Sequence, residues 1–112
     1  MTTRPPNWNQ AILDIRKIED YCLNPAHPRG RHKARVFRDA LDLQRGDAAW
    51  LQDILLESVR SSEATEVSAT MWGTQWRLDV TIRRHDKSGV VRTIWMVRVG
   101  DSRPTFVTCW VL

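Results

Sequence analysis

Two stretches of this chain carry side chains whose types and spacing could do chemistry. The denser one runs from Asn24 to Arg38, where His27, Arg29, Arg31, His32, Lys33, Arg35 and Arg38 crowd together without a single acid. Cations at a helix start are disfavoured, because that end of the helix dipole is positive. The same end, with its free backbone N–H groups, is a natural site for an anion. An arrangement that costs stability on its own becomes favourable when a phosphate sits there. The plainer alternative is a solvated basic face that only aids solubility. Within the stretch, His27 and His32 with Lys33 are types that can serve as general acid and base. Metal-independent RNA cleavage needs such a set. One group takes the 2′-hydroxyl proton, another protonates the leaving oxygen, and a cation stabilises the charged transition state. A His27 that merely caps a helix is the competing reading.

The second stretch follows from alternation. Trp76, Leu78, Val80 and Ile82 fall on one side of a strand, and Gln75, Arg77, Asp79, Thr81 and Arg83 on the other. On the next strand Arg92 and Arg98 share the outer side, with Ile94 and Met96 between them. Arginines interspersed with apolar surface on an open sheet face suit a nucleic-acid platform, although an ordinary wet sheet face looks the same. Rival chemistries lack their signatures: there is no GxSxG, no phosphate-cradling GxxxxGK[ST] and no GxGxxG. Cys22, His27 and His32 make a poor metal signature, so neither a metal nor another cofactor is expected.

These residues must be positioned by the elements around them. Apolar Ile12, Ile15, Ile18 and Cys22 suit a short helix from Ala11 to about Leu23, with a brief strand as the alternative. Pro25 and Pro28 stop it. Pro28 is a good first helical residue, which makes His27 the cap of a second helix running to about Leu43, with the stripe Ala34, Phe37, Ala40 and Leu41. Arg45-Gly46 closes that helix, and Asp47 caps a third that carries Leu51, Ile54, Leu55, Ser58 and Val59 and ends near Ser61-Ser62. After Glu63 the period becomes alternating. Strands are expected at Glu66–Met71, around Gln75–Arg83, at Val90–Val99 and at Thr105–Leu112, with turns at Asp86–Gly89 and Gly100–Pro104. On the third strand Val91, Thr93, Trp95, Val97 and Val99 form the apolar face. Short turns pair consecutive strands antiparallel. The expected fold is α+β: two or three N-terminal helices packed on one face of a roughly four-stranded antiparallel sheet.

Composition sets the frame. A chain of 112 residues, 42% hydrophobic and 27% charged, fits one globular domain over residues 1–112, with 1–10 as a loose lead-in. The formal charge of +4 and a pI near 9.7 favour an anionic partner. No run approaches the roughly 20 apolar residues of a membrane span, and the start lacks a secretory signal. Two distant cysteines match no disulfide framework, so a reducing cytoplasm is expected. Six Trp against one Tyr and two Phe is the unusual entry. Several of these indoles are expected at the core edge or in a cleft, where the N–H finds a partner.

Four blocks carry a resemblance to a known family: Leu23-Asn24-Pro25-Ala26-His27-Pro28-Arg29-Gly30-Arg31-His32-Lys33-Ala34-Arg35-Val36-Phe37, Trp72-Gly73-Thr74-Gln75-Trp76-Arg77, Val91-Arg92-Thr93-Ile94-Trp95 and Val107-Thr108-Cys109-Trp110-Val111. Together they resemble a bacterial domain-of-unknown-function family, which itself looks similar to the barnase–EndoU–colicin–RelE ribonuclease toxins. The resemblance implies helices before an antiparallel sheet, RNA as substrate, and pairing with a small antitoxin or immunity protein. It implies His27 and Lys33 as catalytic residues on the helical side, and Arg92, Thr93 and Thr108 on the sheet side. Alternation puts Thr93 in the core if Arg92 faces out, and Arg92 is preferred. Arg29, Arg31, His32, Arg35, Arg77, Arg83, Arg98 and Trp110 are the expected RNA-contacting set. Two other functions stay open. One is an RNA-binding module without chemistry. The other is an interaction protein that dimerises through its Trp-rich strands, for which an exposed Trp110 on an edge strand would speak. The oligomeric state is left open.

Overall fold

Alternation of buried and exposed residues organises the C-terminal half of the chain. In the computed structural model, which describes residues 4–112, four strands follow one another as an antiparallel meander in the order β1-β2-β3-β4. They are β1 (Thr65–Thr70), β2 (Gly73–Arg84), β3 (Lys87–Arg98) and β4 (Asp101–Val111). Before them come two α-helices, α1 (Arg31–Leu41) and α2 (Ala48–Ser61), and three short helical turns. The α+β order read from the sequence is the observed one. Trp76, Leu78, Val80 and Ile82 of β2 and Val91, Thr93, Trp95 and Val97 of β3 line the core face. Trp95 lies under Phe106 in an edge-to-face pair at 5.4 Å. Val99, expected on that face, is exposed beyond the end of β3.

Helix α1 buries Ala34, Phe37 and Leu41 over β3 and β4, and α2 buries Ala48, Leu51, Leu55 and Val59. Both stripes follow the 3.6-residue period. No helix among the described residues is long and apolar enough to cross a membrane.

Several boundaries differ from the sequence expectation, each for a physical reason. The helix expected over Ala11–Leu23 is mostly not formed. Ile12 makes a bridge to Thr105 of β4, and the helical part shrinks to a single wide turn of π-helix at Ile18–Cys22. Strand pairing at Ile12 outcompetes a helix that the β-branched residues favour only weakly. Helix α1 ends at Leu41, because Asp42 takes the left-handed conformation (φ 56°) and returns its N–H to Arg38 O. The β2–β3 turn is His85-Asp86, earlier than Asp86–Gly89, with His85 at φ 55°. Strand β4 begins at Asp101 rather than Thr105.

Both edge strands contain register shifts, one in β1 and two in β4, the second of these lying between the pairs Met96–Thr105 and Arg98–Asp101. In β1 the pairs Glu66–Trp76 and Ser68–Gln75 leave Val67 as the extra residue. In β4 the pairs Trp95–Phe106 and Ile94–Thr108 leave Val107 extra. A one-residue bulge reverses the alternation beyond it. Phe106 and Cys109, three apart, therefore both face the core, while Thr108 and Trp110 point to the other side.

Candidate functional site

The edge of the sheet at β4 is where helical and sheet candidates meet. Lys33 sits on the flank of α1 that faces β4, and its Nζ donates to Thr108 Oγ1 at 2.8 Å. The ammonium also lies over two rings, 5.1 Å from the centre of Tyr21 and 5.5 Å from that of Trp110. A half-buried cation thus joins residues 75 positions apart.

Local structure explains how the helix reaches that edge. Gly30, at the start of α1, is buried against the preceding segment, and a Cβ there would collide with the Tyr21 carbonyl oxygen. Only glycine allows so close an approach. The His27 ring packs edge-on against Tyr21 at 4.7 Å. Its Nδ1 accepts the backbone N–H of Arg29 and of Gly30, both at 3.0 Å. His27 therefore caps the turn leading into α1, and its neutral ring carries its proton on Nε2.

On the sheet, Arg92 is the cross-strand neighbour of Trp110 on one side and of Asp79 on the other. Its Nε and Nη2 each donate to Asp79 at 2.9 Å, a two-pronged ion pair. The Arg92 hydrogen bonds hold the Asp79 carboxyl below the usual aspartate value of 3.8. Thr93 is wholly buried: its hydroxyl donates to Leu78 O at 2.7 Å and accepts from Trp95 Nε1 at 2.9 Å. Arg92 faces the open side and Thr93 the core. The bulge that lets two sheet candidates share a side lies in β4, not β3.

Behind Lys33, Cys22 and Cys109 are fully buried with their sulfurs 3.8 Å apart. Cys109 donates to Cys22 and lowers that thiol to about 7, helped by Lys33, while the Cys22 contact and burial push Cys109 well up.

The other candidates scatter. Arg77 is close, in the row Thr108–Ile94–Arg77 across the open face. Arg83 lies about 13 Å along β2 from Asp79, and Arg98 about 20 Å along β3 from Arg92, from the rise of a strand. Arg98 pairs across to Asp101 at the far end. Arg29 is exposed in the turn before α1. Arg31, His32 and Arg35 lie away from β4, around a separate groove. Sequence reasoning missed Tyr21 and Asp79. The signal for Tyr21 was its being the only tyrosine, and for Asp79 its place among arginines on the open face.

A family model described as a domain of unknown function (DUF6883) matches residues 4–112. The chain belongs to that family. No curated protein matches it at a significant level.

Proposed function

We propose that this domain binds RNA across the β4 edge and cleaves it without a metal ion, as a toxin-like ribonuclease with Lys33 at its centre. The observation that carries the reading is the Lys33–Thr108 contact, a cation held between two aromatic rings beside an open sheet face. A phosphate oxygen would take the place of Thr108 Oγ1 as one acceptor for Nζ. A base could stack on Trp110, and aromatic platforms of this kind hold unpaired bases in RNA-binding sheets. Lys33 would then place its charge on the phosphate as negative charge develops. His27, with Nδ1 occupied, would offer its Nε2–H as a hydrogen-bond donor to a phosphate or leaving oxygen, which a neutral ring can orient but not protonate. A small antitoxin or immunity protein that covers this edge would be the natural partner.

One observation favours a second reading, an RNA-binding module without chemistry. The cluster offers no free base for the 2′-hydroxyl proton. Asp79 is engaged by Arg92, and His27 Nδ1 by two backbone N–H groups. On that reading Lys33 and Arg92 only bind.

Incubating the purified protein with total RNA in excess EDTA separates the two. The catalytic reading expects cleavage that Lys33→Ala reduces by at least about a hundredfold, the scale on which one acid–base or charge-stabilising group acts. Intact RNA that is nonetheless bound, with affinity falling steeply in salt, would leave the binding module standing. Neither cleavage nor binding would sink both.

A further inference from the structure

Helix α1 presents a different chemistry on the flank away from Lys33. Arg31, Arg35 and Arg38 are three or four residues apart and therefore stack along one side of the helix. That side forms one wall of a groove of about 510 Å³. Buried Leu23, Ala34 and Leu43 make its floor, with Pro25 at the edge. No acidic residue lines it. Arg38 and Arg45 are paired with Asp39 and Asp20 outside the groove. Arg31 and Arg35 have no carboxylate within ion-pair distance among the described residues. Arg35 is aimed by its neighbour, with Nη2 donating to His32 Nδ1 at 3.4 Å.

We infer that this groove binds one nucleotide unit, its phosphate on Arg31 and Arg35 and its base on the apolar floor. Guanidinium groups match phosphate oxygens two by two and also stack on flat rings. A volume of this size admits a ligand of nucleotide dimensions. The two unpaired arginines beside the start of α1 favour a dianionic end, since α1 has no acid in its first turn to offset them. The apolar floor favours a flat, poorly hydrated end rather than phosphate alone. The inference goes beyond the ribonuclease reading, because it asks no chemistry of Lys33.

The test follows backbone amide shifts of the full chain by NMR during titration with AMP, adenosine, inorganic phosphate and phenyl phosphate. AMP should move Arg31, His32, Arg35, Gln44 and Arg45, and bind more tightly than adenosine or phosphate. Arg31→Ala and Arg35→Ala should each weaken AMP about tenfold or more, the loss expected for a charge-assisted contact. Lys33→Ala should leave AMP binding unchanged while it alters RNA cleavage or binding. A non-cleavable 2′-O-methyl tetranucleotide then distinguishes the source. Groove shifts at lower concentration than AMP place the nucleotide within an RNA chain, and groove shifts with AMP only make it a free nucleotide. Three results would overturn the inference: no groove shifts with any probe, phenyl phosphate binding as well as AMP, or AMP shifts confined to the Lys33, Thr108 and Trp110 side.

Discussion

β1 and β4 are both edge strands of one sheet, and each is interrupted by a bulge at a valine. Their surroundings differ. All six residues of β1 are exposed, whereas β4 buries Pro104, Phe106 and Cys109 and is packed by α1. The bulge at Val67 therefore re-aims side chains that stay exposed to solvent. The bulge at Val107 decides which residues enter the core and which join Lys33. The same backbone irregularity is incidental on one edge and site-forming on the other. What separates them is the helical layer, which crosses β4 and stops short of β1.

Truncating one side chain at each bulge tests this with the largest expected effect. Phe106, next to Val107, is wholly buried against Trp95, so Phe106→Ala should cost about 3–5 kcal/mol in urea unfolding, or prevent folding. Val67→Ala should cost about 1 kcal/mol or less, on the scale of changes at exposed positions. Equal costs would mean that β1 is covered by something in solution.

Gly30→Ala sharpens the comparison by loosening the helix that only β4 has. The added methyl group cannot fit against Tyr21 O, so the start of α1 must move away. Overpacking of this kind costs on the order of 1–3 kcal/mol. The Lys33–Thr108 contact should weaken with it, seen as increased mobility of the Thr108 methyl group in NMR relaxation. Strand β1 should be undisturbed in the same spectra.

Much of this was legible in the sequence where one period governs one element. The alternation of β2 and β3 and the apolar stripe of α2 needed no tertiary information. Residues 11–23 were misread because Ile12 answers to a partner 93 positions away, Thr105, which local pattern cannot see. The site was legible as a list of types but not as an arrangement. Lys33, Thr108 and Trp110 meet only because Val107 is extra, and Phe106 and Cys109 were the signal, two core-type residues at a spacing that alternation forbids. The Asp79–Arg92 pair was hidden by the turn. Had the chain turned at Asp86–Gly89, with His85 opposite Val90, Asp79 would sit opposite Met96.

That pair is where the smallest effect is expected, and it concerns how far the chemistry of the β4 edge extends toward β1. The Asp79–Arg92 ion pair is partly exposed, with 36% of one side chain and 28% of the other accessible. Such pairs contribute about 0–1 kcal/mol, so Asp79→Asn should lower stability by less than about 1 kcal/mol at pH 7. Because Arg92 holds the Asp79 carboxyl below the ordinary value of 3.8, this stabilisation is fully present above that value. It is lost as pH falls through the lower value of the folded state. Unfolding curves of the two proteins should therefore differ at pH 7 and converge in acid. The same substitution frees Arg92 and removes a negative charge beside Trp110. On the proposed ribonuclease or RNA-binding reading, RNA should then bind more tightly, and the salt dependence should steepen by about one phosphate contact. Unchanged RNA affinity would mean that the proposed RNA surface stops at β4 and that Arg92 serves the sheet alone.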